Sequence, residues 1–357
     1  MSRHLKKILS IHRYDKKEAE NIINQISKYK DQEYIAIYNP YTTGVMNSTK
    51  ELFKNNVGIS ELLNEEEIDI IAKCIVENNI KQVIFSPIVY GWKELIESIK
   101  QKNNDIKIKF FWHGSHSLFV NRDEAYFLYN ILELCDRNLV SSIAFAKDSM
   151  ADFYSQKGYN SYFVKNNITN IDIKQIKLSA MYQECKLERD NTKVNIGLYS
   201  AGDRWEKNIY NQLSAISMVK NSIVDLIPTN ATSKEFCRMI NLPIYSNRKY
   251  VNHEKMLCKM ASNDINLAVT FTECAPMTPL ESFETGTMCL TGNNHHYFKN
   301  TELEKYLIVK SEDDIDEIYK KINICLENEK KILELYKLWK KEYNKESIKS
   351  VENFLNS

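Results

Sequence analysis

Two glutamates, Glu273 and Glu281, are separated by seven residues and form the pair most able to do chemistry. A β-rich apolar run, Ile265 to Phe271, precedes them, and a helix-like segment ending at Gly286 follows. Strand, acidic turn and helix in this order are typical of an open α/β sheet, where ligands bind at the carboxyl ends of the strands. At about 100° per residue, two carboxylates about two helical turns apart fall near one face. Because a helix start attracts anions, carboxylates beside it favour a ligand with both phosphate and hydroxyl groups, such as a nucleotide sugar.

The E-x7-E spacing followed by a glycine resembles the signature of retaining GT-B glycosyltransferases, a group typified by bacterial polysaccharide and glycoconjugate enzymes of the family 4 type. The resemblance implies that Glu273 lies against the donor sugar and that Glu281 accepts hydrogen bonds from the ribose hydroxyls. It also implies that the sugar and diphosphate meet the backbone that follows the first glutamate, at Ala275, Pro276 and Met277.

Two positions depart from the common pattern of that group. Glu284 stands where a small residue is usual, and Met288 stands where proline is usual. Both positions concern helix packing more than chemistry. Without the resemblance, Glu273 and Glu281 would be interpreted as solvated side chains of a surface helix.

Composition limits the class of protein. The chain has 357 residues, 43% of them hydrophobic, which is enough for two domains with cores of their own. The net charge of +1 gives no general attraction for nucleic acid, so we expect no nucleic-acid partner. Eight cysteines without a C-x-x-C pair favour reduced thiols in a cytosol over zinc ligands or disulfides. No run approaches the roughly 18 to 20 apolar residues of a spanning helix, so we expect a cytoplasmic protein, at most touching the inner face of the membrane.

Short apolar runs alternate with helical segments in both halves, as in βαβ units. The sequence therefore predicts an α/β protein, and by resemblance two Rossmann-like doubly wound domains facing across a cleft, the GT-B architecture. We expect an N-terminal, acceptor-side domain over 1–180, a polar connection from Asn170 to Thr192, and a donor domain over 190–340. Predicted strands include Asn138–Ser141, Ile265–Phe271 and Tyr306–Val309.

The end of the chain is predicted to be helical. Apolar residues at spacings of three and four alternate with lysines over the segment, in the pattern of an amphipathic helix: Ile332, Leu335, Tyr336, Trp339 and Tyr343. Two interpretations stay open. The helix, at about 340–357, packs back on the first domain, or its stripe makes peripheral contact with an anionic membrane.

A donor diphosphate needs positive charge around it. The segment Gly202-Asp203-Arg204-Trp205-Glu206-Lys207 follows the strand that opens the second half. By resemblance, a basic pair in this loop binds the diphosphate, and Arg204 and Lys207 match it, at a spacing of three where five is usual. The alternative is an ordinary Arg and Lys at a helix start.

Two further candidates come from the first half. His113 ends a strong strand, and similar enzymes keep a His there that hydrogen-bonds the donor sugar; His116 is the weaker candidate. Gly44 follows the first strand, where the family has a glycine-containing loop beside donor and acceptor, although a simple turn explains it equally well. A loop at Gly292–Tyr297, with His295 and His296, either borders the nucleotide or is solvated.

A metal is not expected. Asp313, Asp314 and Asp316 form a D-x-D-like run, but Ser311 resembles an N-cap and the acids suit the first turn of a helix. We therefore predict a retaining, metal-independent glycosyltransferase without a cofactor, using a nucleotide-sugar donor, with a UDP-sugar expected. Its acceptor is a glycan, lipid-linked or protein substrate. A nucleotide-sugar 2-epimerase and a non-catalytic partner subunit remain as alternatives.

Overall fold

The computed structural model describes residues 16–59, 64–87, 91–168, 171–200, 204–246 and 251–357. The chain forms two compact units: unit 1 comprises Met1–Asn167 and Ser347–Ser357, and unit 2 comprises Ile168–Glu346. Each unit has its own parallel sheet and its own core.

Unit 1 is a six-stranded parallel sheet with strand order β2-β1-β3-β4-β5-β6. Its strands are β1 Tyr34–Tyr38, β2 Asn56–Gly58, β3 Gln82–Ser86, β4 Lys107–Trp112, β5 Ser142–Phe145 and β6 Ser161–Phe163. Its helices are α1 Lys16–Ser27, α2 Thr43–Leu52, α3 Glu65–Glu77, α4 Trp92–Lys102, α5 Arg122–Asp136 and α6 Asp148–Gln156. The order reverses between β1 and β3, so ligands of a doubly wound sheet are expected at the carboxyl ends of those strands.

Unit 2 also has a six-stranded parallel sheet, with the order β12-β11-β10-β7-β8-β9. Its strands are β7 Val194–Tyr199, β8 Ser222–Ile227, β9 Ile244–Ser246, β10 Ile265–Ala268, β11 Met288–Gly292 and β12 Ile308–Val309. Its helices are α7 Ile173–Leu178, α8 Ala180–Leu187, α9 Ile209–Met218, α10 Ala231–Met239, α11 His253–Ala261, α12 Met277–Glu284, α13 Glu304–Leu307, α14 Ile315–Glu327 and most of α15 Glu329–Leu355. The order reverses between β7 and β10.

Close backbone contact fixes the middle of the second sheet. A Cβ on Gly197 of β7 would lie 2.1 Å from Asn266 Oδ1 and 2.3 Å from Asn263 Nδ2. These two amides are hydrogen-bonded to each other, and Asn266 also donates to Ser282 Oγ of α12 at 2.7 Å. The missing side chain of Gly197 therefore leaves room for a polar network that ties α12 to the sheet.

The fold prediction is confirmed, but three of the predicted elements are wrong in place or extent. The fifth strand is not at 138–141: α5 ends with Asn138 at φ +58°, Leu139 N donates to Leu134 O, and the strand starts at Ser142. The run from Ile265 leaves the sheet after Ala268, whose carbonyl accepts from Thr270 N at 3.0 Å. Tyr306 and Leu307 lie in α13, so the last strand is Ile308–Val309 alone.

The polar segment predicted as a connection forms structure within unit 2. Residues 173–187 make the helices α7 and α8, and both pack against α11. Just beyond α8, the fully buried Arg189 donates to Asp225 Oδ2 at 2.6 Å. A charge buried this deeply needs its partner, so the segment is anchored to β8.

The C-terminal helix α15 docks on protein. Ile332, Tyr336 and Tyr343 are buried in the core of unit 2, so this part of the apolar stripe packs on unit 2. The end of the helix belongs to unit 1, where Phe354 is fully buried. No helix among the described residues is long and apolar enough to cross a membrane.

Lys109 of β4 holds the end of α15 to the sheet of unit 1. The side chain is fully buried, and Nζ donates to Phe354 O at 2.6 Å and Leu355 O at 2.9 Å. Burial lowers the pKa of Lys109 to about 8. The carbonyls at a helix C-terminus carry partial negative charge and favour the ammonium form in return.

Candidate functional site

The switch point of unit 2 brings the predicted residues of the second half together. The segments that follow β7 and β10 both leave the sheet at the strands' carboxyl ends, where the strand order reverses. Gly202 and Asp203 of the predicted phosphate loop lie outside the described residues. From Arg204 onward the loop is described, and it forms a short 3₁₀ turn over Trp205–Lys207.

Lys207 and Glu273, predicted from separate motifs, form an ion pair between Lys207 Nζ and Glu273 Oε1. The side chains are 17% and 19% exposed, so the pair is largely shielded from water yet reachable. Backbone contacts fix the two loops against each other, since Phe271 N donates to Glu206 O at 2.9 Å. The loop that contains Lys207 and the loop that contains Glu273 are therefore hydrogen-bonded to each other.

Gln212 and Asn208 complete this support. Gln212 Nε2 donates to Lys207 O at 2.9 Å, and its Oε1 accepts from Val269 N at 2.9 Å. Asn208 adopts φ +51° and donates to Val269 O at 3.0 Å. This left-handed residue separates the 3₁₀ turn from α9. Sequence reasoning missed both residues, and the only available signal was that Asn tolerates positive φ.

Arg204 lies beside this pair with a carboxylate partner of its own. Its Nε forms an ion pair with Glu206 Oε1 at 2.9 Å; the Arg204 side chain is half exposed, whereas that of Glu206 is buried. Each predicted cation is thus paired with a carboxylate, and the net charge of the four side chains is zero. An anion at this site would have to share the donors of Arg204 and Lys207 with the two carboxylates, which an Arg with five N–H groups and a Lys with three can do.

Glu281 sits in the middle of α12, directly after the Glu273 loop. Gly286 ends the segment at φ +85°, a conformation that favours glycine. Pro276 is the N-cap of α12, so Ala275, Pro276 and Met277 form the approach to its positive end, as the resemblance implies for residues that meet a diphosphate.

His253, at the start of α11, is the partner of Glu281. Its Nε2 lies 2.8 Å from Glu281 Oε1, and this hydrogen bond raises the pKa of His253. Sequence reasoning did not identify His253. The two residues are far apart in sequence and meet only because α11 and α12 pack side by side.

The two departures from the family pattern have packing explanations. Glu284 accepts from Tyr336 Oη at 3.0 Å and from Lys340 Nζ at 2.5 Å, so it ties α12 to α15. Met288 opens β11 with its side chain 1% exposed, in the core of unit 2.

His113 of unit 1 lies at the end of β4, next to the switch point of that sheet. His113 Nε2 is 2.8 Å from Ser86 Oγ, which is 2.8 Å from Thr49 Oγ1 of α2. Burial lowers the pKa of His113 to about 3, so the imidazole is neutral near pH 7. A neutral ring can donate or accept one hydrogen bond but supplies no positive charge.

The other two candidate residues of unit 1 are His116 and Gly44. His116 is exposed and its Nε2 lies 3.0 Å from Tyr154 Oη. Gly44 is exposed in the first turn of α2, and a Cβ built there meets no atom within 4 Å. Packing within the described structure thus does not require glycine at this position.

The acidic run near the start of α14 is explained by helix capping. Asp314, and not Ser311, is the N-cap, with Oδ1 accepting from Asp316 N at 2.9 Å and Glu317 N at 3.1 Å. His295 and His296 pack against Tyr297 and Tyr343, and His296 Nε2 is 2.9 Å from Tyr343 Oη, whereas Asn293 of the same loop is exposed. Across the described ranges, no group of three or more His, Cys, Asp or Glu side chains could hold a metal ion.

No protein-family model matches the chain, and no curated protein sequence matches it significantly. Solved structures do resemble it. A UDP-forming α,α-trehalose-phosphate synthase from Burkholderia xenovorans aligns with 91% of this chain and 98% of its own at 12% identity, with a TM-score of 0.64. A structure of such a synthase from the same organism, in complex with glucose-6-phosphate, aligns with 90% and 99% at 10% identity and a TM-score of 0.65.

An E. coli structure described as trehalose-6-phosphate bound with UDP-2-fluoro glucose aligns with 89% of this chain and 98% of its own, at 10% identity and a TM-score of 0.58. At these identities the likeness concerns the fold. Two parallel six-stranded sheets, each covered by helices, together with a structural match over nine-tenths of the chain, show that this protein has the GT-B fold.

Proposed function

We propose that this protein is a glycosyltransferase that moves a sugar from a nucleotide-diphosphate donor, a UDP-sugar, to a carbohydrate acceptor with retention of anomeric configuration. The observation that carries the proposal is the meeting of Lys207 and Glu273 at the switch point of unit 2, with Glu281 on the helix that follows. The fold adds support, because its structural neighbours include UDP-forming synthases and a complex with a UDP-fluorosugar.

The proposed chemistry is a front-face displacement through an oxocarbenium-like state. The bond from the anomeric carbon to the diphosphate oxygen breaks, the acceptor oxygen forms the new bond on the same face, and the acceptor proton passes to the leaving diphosphate. The protein's contribution is positioning and electrostatic stabilisation of the departing anion.

Each residue has a role in this proposal. Lys207 and Arg204 stabilise the leaving diphosphate, and Glu273, which Lys207 keeps in place, orients the hydroxyl groups of the donor sugar. Glu281 accepts from the ribose hydroxyls. The backbone of residues 275–277 approaches the phosphates at the start of α12.

The roles of His113 and Gly44 follow from resemblance. His113 hydrogen-bonds the donor sugar as a neutral imidazole, a form that its lowered pKa supports. Gly44 borders the substrates, and the open space around it is compatible with a ligand nearby.

The acceptor is proposed by class. Because one structural neighbour was solved in complex with glucose-6-phosphate, a sugar phosphate is the first acceptor to test, followed by glycan, lipid-linked and protein acceptors.

We place the protein in the cytoplasm, since all eight cysteines are free and seven of them are buried, which suits a reducing compartment.

Thermal shift with UDP-, GDP- and dTDP-sugars finds the donor first. A ligand at 100 times its Kd adds about 2.7 kcal/mol to the free energy of unfolding. Release of nucleoside diphosphate is then measured with and without each acceptor. Glu273→Gln should lose about 10²-fold in turnover, or roughly 2.7 kcal/mol, with a smaller loss in nucleotide affinity.

The same assay separates the alternatives. Release that is independent of any acceptor indicates a 2-epimerase, and release that requires a second protein indicates a partner subunit. Full activity of Glu273→Gln contradicts the central assignment.

A further inference from the structure

His253 has a place in the donor site that no sequence pattern gives it. It is the first residue of α11, with about half of its side chain exposed, and its Nε2 contacts Glu281, whose side chain is only 16% exposed. An ionised carboxylate has about four lone-pair sites on two oxygens. The contact uses Oε1 and leaves Oε2 able to accept from hydroxyl groups.

Glu281 is the charged group that sets the protonation of His253. The elements packed against α11 are α7, α8 and α12. Their other charged side chains, together with those of α11 itself, are Lys174, Lys177, Glu184, Lys186, Glu284, Glu254, Lys255 and Lys259. The hydrogen bond to Glu281 is the largest influence on the pKa of His253 and raises it, whereas burial opposes the rise.

The net charge of the proposed donor site depends on the contact between His253 and Glu281. Arg204 is matched by Glu206, and Lys207 is matched by Glu273. Among the described residues of the proposed site, Glu281 is then the remaining carboxylate, and its contact is a histidine. With His253 neutral the set carries one net negative charge, which repels a diphosphate; with His253 protonated the set is neutral.

We propose that His253 is the counter-ion and positioning residue of Glu281, so that a nucleotide sugar binds more tightly when the imidazole is protonated. The ring N–H fixes the carboxylate for the ribose hydroxyls in either protonation state, and the extra proton removes the repulsion. This inference rests on the proposed function, because it requires a nucleotide sugar at Glu281.

The test is calorimetric titration with UDP-glucose, whose two phosphates each carry one ester and one anhydride bond and therefore keep one negative charge each across the pH range used. Affinity of the wild type should fall roughly fivefold between about pH 6 and about pH 8.5, the size expected for one partly screened unit charge. His253→Gln keeps an N–H donor without the charge. It should bind equally at both pH values and match the wild type at the higher one.

His253→Ala lacks both charge and donor, so it should bind more weakly than His253→Gln at every pH. In turnover, His253→Gln should raise KM at low pH with little change in kcat, since it touches binding and not the reacting atoms. An NMR titration of the His253 ring without ligand should show a lower pKa in Glu281→Gln than in the wild type.

Three results would overturn the inference: an unchanged His253 pKa in Glu281→Gln, a pH profile shared by wild type and His253→Gln, or wild-type affinity in His253→Ala. The failure of the proposed function is distinguishable from these. In that case the wild type binds no UDP-, GDP- or dTDP-sugar at any pH, and the inference falls with it.

Discussion

Removing one partner of the Lys207–Glu273 pair should cost stability as well as activity. An intact hydrogen bond to a charged group contributes about 1.5–3 kcal/mol, and breaking a fully buried ion pair costs about 3–5 kcal/mol. Since the two side chains are 17% and 19% exposed, this pair lies below the fully buried limit. We expect Lys207→Met and Glu273→Gln each to lower the free energy of unfolding by about 2 kcal/mol.

The double variant distinguishes this pair from two independent sites. With both charges gone, no shielded charge is left behind, so the loss should be smaller than the sum of the single losses by about 1–2 kcal/mol. Urea unfolding of the four proteins gives this coupling free energy. Lys320→Met is the control, because both side chains of the Lys320–Asp316 pair on α14 are exposed. Loss of this pair should leave the free energy of unfolding unchanged. Strictly additive losses would show that the ion pair does not form in solution.

Three further predictions concern other parts of the chain. Because burial lowers the pKa of His113 to about 3, the folded protein binds fewer protons at this side chain than the unfolded protein does below about pH 6.5. Acidification to about pH 4.5 should therefore remove about 2 kcal/mol from the free energy of unfolding of the wild type but not from that of His113→Gln. Equal acid sensitivity of the two proteins in urea unfolding would contradict this prediction. Gly197→Ala places a Cβ against two buried amides and should cost about 3 kcal/mol in thermal unfolding, whereas Gly44→Ala, in open space, should be neutral or slightly stabilising. Lys109→Met leaves the last carbonyls of α15 without their buried donor and should cost about 2–3 kcal/mol; a variant with wild-type stability in urea would refute the anchoring role.

The sequence predicts the alternation of strands and helices because parallel strands are buried on both faces and read as short apolar runs. It fails where the local pattern is ambiguous. Leu139 and Val140 look like a strand, but Asn138 in the left-handed conformation makes them part of the cap of α5, and β5 begins at Ser142. The strands β2 and β9 are three residues each, too short for a periodicity to show.

The residues of the candidate site likewise divide into those that the sequence predicts and those that it does not. Lys207, Glu273 and Glu281 are recognisable because each stands directly after a strand or in the helix that follows one. Their partners are not. His253 contacts Glu281 because two helices pack together, and Gln212 of α9 accepts from Val269 N just after β10. Neither contact has a local sequence signal. The charge state of the site depends on such partners, so its electrostatics could not be predicted from motifs alone.

The end of α15 makes unit 1 discontinuous along the chain. Its sheet and helices come from residues up to Asn167, but the buried Phe354 and the carbonyls held by Lys109 come from residues beyond Ser347. Domains made on the ribosome usually fold in order from the N-terminus. Here unit 2, contained in one continuous stretch, has its whole sequence available before unit 1 does. Unit 1 thus becomes complete only after all of unit 2 has been synthesised, because the carbonyls that Lys109 binds belong to residues that follow unit 2 in the chain.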